Sequence, residues 1–306
     1  ENKIYIDGQL IGELKGLKFI IELTSKTLDT DIKSIKKAAR KGMIAELDNR
    51  VNKIIEDQKI TVDLDGKIVW KGNPIGRLKK GYDYLTPEIE IIADESLETT
   101  TKMKLEEFLK KWFNEYINKI LGDLINLTKL KIENQYLRAL IFQLYEKNGV
   151  IKRAEIENIV KLIPSEERKK LWNMGIKIGR YHIYLPKMLK PKAVEFRISL
   201  WKIFNKNNFR EKIPKSGLNF IYNKDYEKNF LLLCGFEKFK EFFVRIDILE
   251  KLFIKILDNT KDRKFKINSE MMNLLGCTKE NFYKLMTYMN YKKGKTEETY
   301  LFIGEK

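Results

Sequence analysis

Apolar residues in the first quarter of the chain come in short β-branched and aromatic runs broken by turn dipeptides. They then give way to long stripes at helical spacing. Ile4-Tyr5-Ile6-Asp7-Gly8-Gln9-Leu10-Ile11-Gly12-Glu13-Leu14-Lys15 matches Ile68-Val69-Trp70-Lys71-Gly72-Asn73-Pro74-Ile75-Gly76-Arg77-Leu78-Lys79 at a constant offset of 64. Asp7-Gly8 and Gly72-Asn73 accept positive φ and predict tight hairpins. Each hairpin is followed by another extended run, Leu17–Leu23 or Pro87–Ile92, and then by a helix. Ile32, Ile35, Ala39, Met43, Val51 and Ile54 make one stripe. Phe108, Leu109, Trp112, Phe113, Tyr116, Ile117, Ile120 and Leu121 make a wider one, whose aromatics read as core. Residues 1–130 are thus expected to hold a duplicated ββ(β)α unit (1–64 and 65–128). Neither half can bury its own face, so the two should pack together.

The chain's other end predicts a winged helix over 226–306. Asp247 can cap a helix with Leu249, Leu252, Phe253 and Ile256 inward. Ser269 opens a short helix carrying Met271, Met272, Leu274 and Leu275. Gly276-Cys277 make a turn, and Thr278 caps a third helix with Phe282, Leu285, Met286 and Met289 inside. Tyr291-Lys292-Lys293-Gly294-Lys295 forms a basic tip before a strand at Tyr300–Ile303. Lys279, Asn281, Tyr283, Lys284 and Thr287 would point outward from the third helix.

Between these ends, 131–225 reads as a mostly helical region with a strand over Ile176–Leu185. Pro186 and Pro191 bracket a bend, and Ala193, Phe196, Leu200 and Phe204 share a helical face after it. The fold class is therefore α+β. With 306 residues and 43% hydrophobic content, the chain is long enough for about two or three domains with real cores. Cys234 and Cys277 make no disulfide framework. No apolar run reaches the roughly 18 residues of a membrane span, and no signal peptide is visible. A cytoplasmic setting away from membranes is expected. The chain opens at Glu1 rather than Met and reads as part of something longer.

Charge changes the picture most in the middle. Residues 151–224 hold 18 Lys and Arg against 6 Asp and Glu, whereas 1–150 hold 26 against 24 and 225–306 hold 16 against 13. A basic block between nearly neutral segments is the footprint of a polyanion-binding surface. Lys177, Arg180, Lys187, Lys190, Lys192 and Arg197 gather at the predicted strand-to-helix corner, where they can neutralise phosphates. Tyr181 or Tyr184 could stack a splayed base there, or lie in the core. Lys279, Lys284 and Lys293 are the corresponding candidates in the tail.

The same central stretch carries a family resemblance. Gly175-Ile176-Lys177-Ile178-Gly179-Arg180-Tyr181-His182, with Leu185-Pro186, Leu189-Lys190-Pro191-Lys192-Ala193 and Leu200-Trp201, resembles the C-terminal region of bacterial superfamily-two helicases. These are relatives of the DExH RNA helicase of the mitochondrial degradosome. Gly66-Lys67-Ile68-Val69-Trp70 with Ile75-Gly76-Arg77-Leu78 is similar to the part that follows the helicase core. Val244-Arg245-Ile246-Asp247 and Met271-Met272-Asn273-Leu274-Leu275-Gly276-Cys277 look like the family's tail. The resemblance implies a parent enzyme that hydrolyses Mg-ATP to unwind RNA or DNA. It implies the helicase core of the same polypeptide as a partner, and RNA ahead of DNA as the nucleic acid.

The motor's chemistry has no counterpart in the sequence. No glycine-rich loop ending in Gly-Lys-Ser/Thr occurs to cradle phosphates and Mg²⁺, so no cofactor is expected on this chain. Ile89-Glu90-Ile91-Ile92-Ala93-Asp94-Glu95 imitates a metal-holding strand end but reads as a strand running into a helix, with acids near its N-terminus. His182, the only histidine, reads as a hydrogen-bonded structural residue. Neither cysteine belongs to a Cys-x-x-Cys, and no Gly-x-Ser-x-Gly elbow occurs. The residues also leave open a stand-alone winged-helix DNA-binding protein, such as a transcription regulator, and a structural docking module.

Overall fold

The structure, a computed structural model, describes residues 3–6, 9–21, 29–206, 212–222, 226–294 and 299–302. Helices and sheets are mixed throughout, so the chain is α+β. It forms two compact units. One comprises residues 1–119 with 199–207, the other 120–198 with 208–306. Most of the middle segment and the tail, separate in the sequence reading, thus share the second unit.

In the first unit β1 (Lys3–Ile6), β2 (Gln9–Lys15) and β3 (Lys18–Ile21) precede α1 (Asp29–Asp57). Then β4 (Ile60–Val62), β5 (Lys67–Trp70), β6 (Asn73–Lys79) and β7 (Glu88–Ile91) lead to α2 (Thr99–Asn126). Both sheets are antiparallel, in the orders β1-β2-β3 and β4-β5-β6-β7. Lys3 pairs with Glu13 and Ile4 with Gly12 before a bulge; Lys67 pairs with Arg77 and Ile68 with Gly76 before a bulge in the corresponding place. At the bulge-side glycines the next strand leaves little room for a Cβ. It would collide with the Ile20 carbonyl at Gly12, and at Gly76 it would lie 3.2 Å from the Glu90 carbonyl.

The second hairpin turns one position earlier than its dipeptide suggested. Lys71 and Gly72 carry the positive φ values, 47° and 78°, and Asn73 already belongs to β6. Two positive φ values in a two-residue loop match the right-handed twist of the paired strands. The Asp7-Gly8 turn and the side chains of Ile32, Ile35 and Ala39 lie outside the described residues.

The two β-rich segments of this unit are in contact. Asp94 N–H donates to the Leu17 carbonyl at 2.8 Å, and the Thr101 hydroxyl on α2 donates to Asp48 on α1 at 2.7 Å. Met43, Leu47, Val51 and Ile54 of α1 and Leu105, Leu109, Phe113 and Ile117 of α2 are buried. Arg50 is buried with them and donates to the carbonyls of Leu14 and Gly16 at 3.1 and 3.0 Å. Trp112 and Tyr116 sit half-buried, stacked on each other at 5.0 Å.

The second unit starts with the end of α2, from Ile120, and continues into α3 (Gln135–Glu146), whose first turn is capped by the Asn134 side chain. β8 (Val150–Lys152), α4 (Arg153–Leu162), α5 (Ser165–Asn173), β9 (Lys177–Ile178) and β10 (His182–Tyr184) follow. α6 (Pro191–Asn205) comes next, and only its part before Ser199 belongs to this unit. β11 (Phe220–Tyr222), α7 (Lys228–Leu233), β12 (Phe236–Phe239) and β13 (Phe242–Arg245) lead into α8 (Ile246–Asp258). The chain then runs through β14 (Thr260–Lys261), β15 (Lys264–Lys266), α9 (Ser269–Leu275), α10 (Lys279–Tyr288), β16 (Lys292–Lys293) and β17 (Thr299–Leu301). The three antiparallel sheets have the orders β8-β10-β9, β11-β13-β12 and β14-β15-β17-β16.

One apolar cluster joins β13, α8, α9, α10 and the last sheet through Phe242, Leu249, Leu252, Phe265, Met271, Phe282, Leu285 and Tyr300. Thr278 caps α10 as read from the sequence, its hydroxyl accepting from Asn281 N–H. Asp247 does not cap α8. It lies in the first turn, where the Arg245 guanidinium holds both its oxygens at 2.6 and 2.9 Å. Gly276, with φ of 67°, ends α9 in the left-handed conformation that glycine tolerates best. Lys295 and Ile303 lie outside the described residues. Among the described residues no helix is long and apolar enough to cross a membrane.

Candidate nucleic-acid interface

The strand expected over 176–185 is a hairpin. Ile178 of β9 pairs with Ile183 of β10 and Lys177 with Tyr184, leaving Gly179, Arg180 and Tyr181 at the tip. A carboxylate 70 residues away creates this turn. Glu250, buried on α8, accepts from Arg180 N–H at 2.6 Å, and from Tyr181 N–H and His182 N–H at 2.9 and 2.8 Å. Three consecutive amides converging on one side are an anion-binding nest, and the chain fills it with its own acid. A Cβ on Gly179 would collide with that carboxylate and push it off the amides, so glycine here lets the nest keep its acceptor. Arg153 braces the tip, donating its guanidinium to the Gly179 carbonyl at 3.1 Å and its backbone N–H to the Tyr181 carbonyl at 2.8 Å.

Beneath the tip His182 is 1% exposed, with Nε2 at 2.8 Å from Glu237 and Nδ1 at 3.5 Å from Glu250. Lys152 pairs with the other Glu237 oxygen. Burial works against the His182 charge, but the hydrogen bond to Glu237 and the nearby Glu250 carboxylate outweigh it and raise the pKa above the ordinary 6.5. Burial likewise opposes the Glu237 charge, but His182 and Lys152 hold its carboxyl below the ordinary 4.5. His182 therefore contributes stability in full below 6.5, and this is lost as pH rises through the higher folded value. The Glu237 contribution is present above 4.5 and lost as pH falls through the depressed one. The network should be strongest between these limits. The stability lost in His182→Gln, read from urea midpoints, should be larger near pH 5.5 than near pH 8.5. A loss independent of pH would contradict the charged assignment.

The expected site residues separate into groups. Lys177 is exposed beside Trp172, with Nζ 5.8 Å from the ring centroid, and Arg180 lies 5.7 Å from the centroid of Phe253. Lys187, Lys190 and Lys192 are exposed along the turn after β10 and the start of α6, with Lys187 bridging to Asp123 at 2.9 Å. Lys279, Lys284 and Lys293 are exposed in the tail. Lys284 is paired with Glu280 at 2.6 Å, and Lys279 sits over the Tyr283 ring.

Arg197 and the tyrosines take other places. Arg197 is 0% exposed and donates to the carbonyls of Asn148, Met188 and Leu233 at 2.5, 2.6 and 3.2 Å, so it cannot meet a phosphate in this conformation. Its spacing held the signal, because 193, 197 and 200 share the inner face of α6. Tyr184 is buried. Tyr181 turns inward, edge-on to Phe253 and 3.4 Å from the Tyr291 hydroxyl. Burial first, then Tyr291, pushes the Tyr181 phenol up.

The exposed aromatic at the corner is one that the sequence reading passed over, Trp172. Leu171 beside it is buried, and adjacent residues on a helix point about 100° apart, so Trp172 is turned toward a different side of α5. Trp172, Lys177, Arg180, Lys251, Phe253 and Ile254 are among the residues that surround a cleft of about 610 Å³ between the hairpin, α5 and α8. Among the described residues no group of His, Cys, Asp and Glu is arranged to hold a metal ion. No protein-family profile matches this chain, and no curated protein or solved structure matches it either.

Proposed function

We propose that this chain is an accessory region of an ATP-dependent helicase that binds and orients a nucleic-acid strand without reading its sequence, RNA before DNA. Mg-ATP and its hydrolysis would belong to the helicase core of the same polypeptide. The observation that carries this reading is the run of exposed cations Lys177, Lys187, Lys190 and Lys192 in the second unit, the first of which lines an aromatic-walled cleft with the half-buried Arg180. Ammonium groups on flexible stems meet phosphates wherever the backbone runs, so contact is electrostatic and independent of sequence. The Lys187–Asp123 bridge is exposed and easily exchanged for a phosphate.

Two finer readings accompany it. The order α8, β14–β15, α9, α10, β16–β17 supports a winged helix, and the equal spacing of register and bulge in the two hairpins supports an internal duplication. The tail offers a weaker phosphate surface than the corner, because the 16 Lys and Arg of 225–306 are nearly balanced by 13 Asp and Glu. A packing element or a wedge at a duplex fork therefore suits it better than a base-reading helix. We expect Lys177, Lys187, Lys190 and Lys192 changed together to Gln to weaken binding to unrelated single strands alike, and Lys279→Ala with Lys284→Ala to weaken it only modestly. Fluorescence anisotropy with two labelled strands of different sequence tests this. A larger loss from the tail pair, confined to one sequence, would favour a DNA-binding regulator instead.

A further inference from the structure

We infer that the cleft beside Trp172 is a pocket for an unpaired nucleobase, which makes single strands, rather than duplex, the substrate class of this surface. The inference rests on the nucleic-acid reading above and adds to it a seat for the base.

Three observations carry it. The first is shape: about 610 Å³ lies within the usual range for small-molecule sites, roughly 300–1,000 Å³, and takes a base with its sugar. The second is the wall. Trp172 is 67% exposed and Ile254 54% exposed, and Phe253 is half-buried next to them. Apolar side chains left in water around a concavity offer stacking faces, and base stacking on aromatics is tolerant of sequence. A base inside a duplex already has both faces covered and cannot enter, whereas a splayed base can.

The third is charge. Lys177, Arg180 and Lys251 are among the lining residues, as is Arg153, which is paired with Glu157 at 2.9 Å. The two acids of the lining are already engaged, Asp247 by the Arg245 guanidinium and Glu250 by three backbone amides. The cleft therefore presents positive charge beside apolar walls, matching a strand whose phosphates stay outside while one base turns in.

The test uses the full chain, its tryptophan fluorescence, and two strands of equal length, oligo-dT and the same sugar-phosphate backbone without bases. Oligo-dT should quench the emission and the abasic strand should do so little. The quench should be lost in Trp172→Phe. Trp172→Ala, with its fold checked by circular dichroism, should bind oligo-dT about 5- to 100-fold more weakly and the abasic strand unchanged. If both strands bind wild type and Trp172→Ala equally, the base pocket is overturned while the phosphate surface stands. A quench that persists in Trp172→Phe would place the base elsewhere and overturn the pocket as well. If neither strand binds, the pocket and the nucleic-acid reading fall together.

Discussion

Replacing Arg197 with methionine should cost roughly 3–5 kcal/mol of stability, the largest single effect expected in the second unit. Its guanidinium joins the end of α3, the turn before α6 and the end of α7 through the carbonyls of Asn148, Met188 and Leu233. Methionine fills similar space but donates nothing, so buried carbonyl groups lose their partner. Asn148 is itself buried, at a positive φ of 59°, and water has little access to repair the loss. Arg197→Lys keeps the charge but not the planar fork, and an ammonium cannot span three divergent acceptors as well, so an intermediate loss is expected. Urea unfolding of the full chain measures both. A change under about 1 kcal/mol for Arg197→Met would mean that the carbonyls find other donors.

Glu250 should rank next. Glu250→Ala leaves three buried or half-buried amides without an acceptor and opens space under the hairpin tip, with an expected loss of roughly 2–4 kcal/mol. Glu250→Gln should cost less, because its carbonyl oxygen still accepts while its NH₂ faces an amide it cannot satisfy. Gly179→Ala attacks the same contact from the other side and should resemble Glu250→Ala. Since the tip carries Arg180 and adjoins Lys177, strand binding should weaken along with stability. A Glu250→Ala protein that kept wild-type stability would show that the nest is not what holds the turn.

Local chemistry made part of this legible in the sequence. The hairpins, the Thr278 cap, the Gly276 turn and the inner faces of α9 and α10 depend on neighbours within a few residues. The corner lysines were readable for the same reason, because a short charged stretch bounded by prolines has few ways to bury itself. What escaped depends on distance along the chain. Gly179 is a local signal of a break within Ile176–Leu185, but the acceptor that holds the turn, Glu250, lies far along the chain and has no signature there. Arg197 looked like one more phosphate ligand because its carbonyl partners have no sequence signature, although its place on the inner face of α6 pointed inward. Of the two places open to Tyr181 it takes the inward one, and Trp172, which was given no role, is exposed, since exposure is decided by what packs against each ring.

The central claim is that exposed cations at this corner bind a strand through its phosphates. The dependence of affinity on salt measures that most directly, because each phosphate neutralised on a single strand contributes about 0.7 to the slope of log affinity against log salt. With Lys177, Lys187, Lys190 and Lys192 all changed to Gln in a folded protein, the slope should fall by roughly 2 to 3, equally for unrelated sequences. A slope identical to that of the wild type would mean that these lysines only face solvent, and would contradict the account.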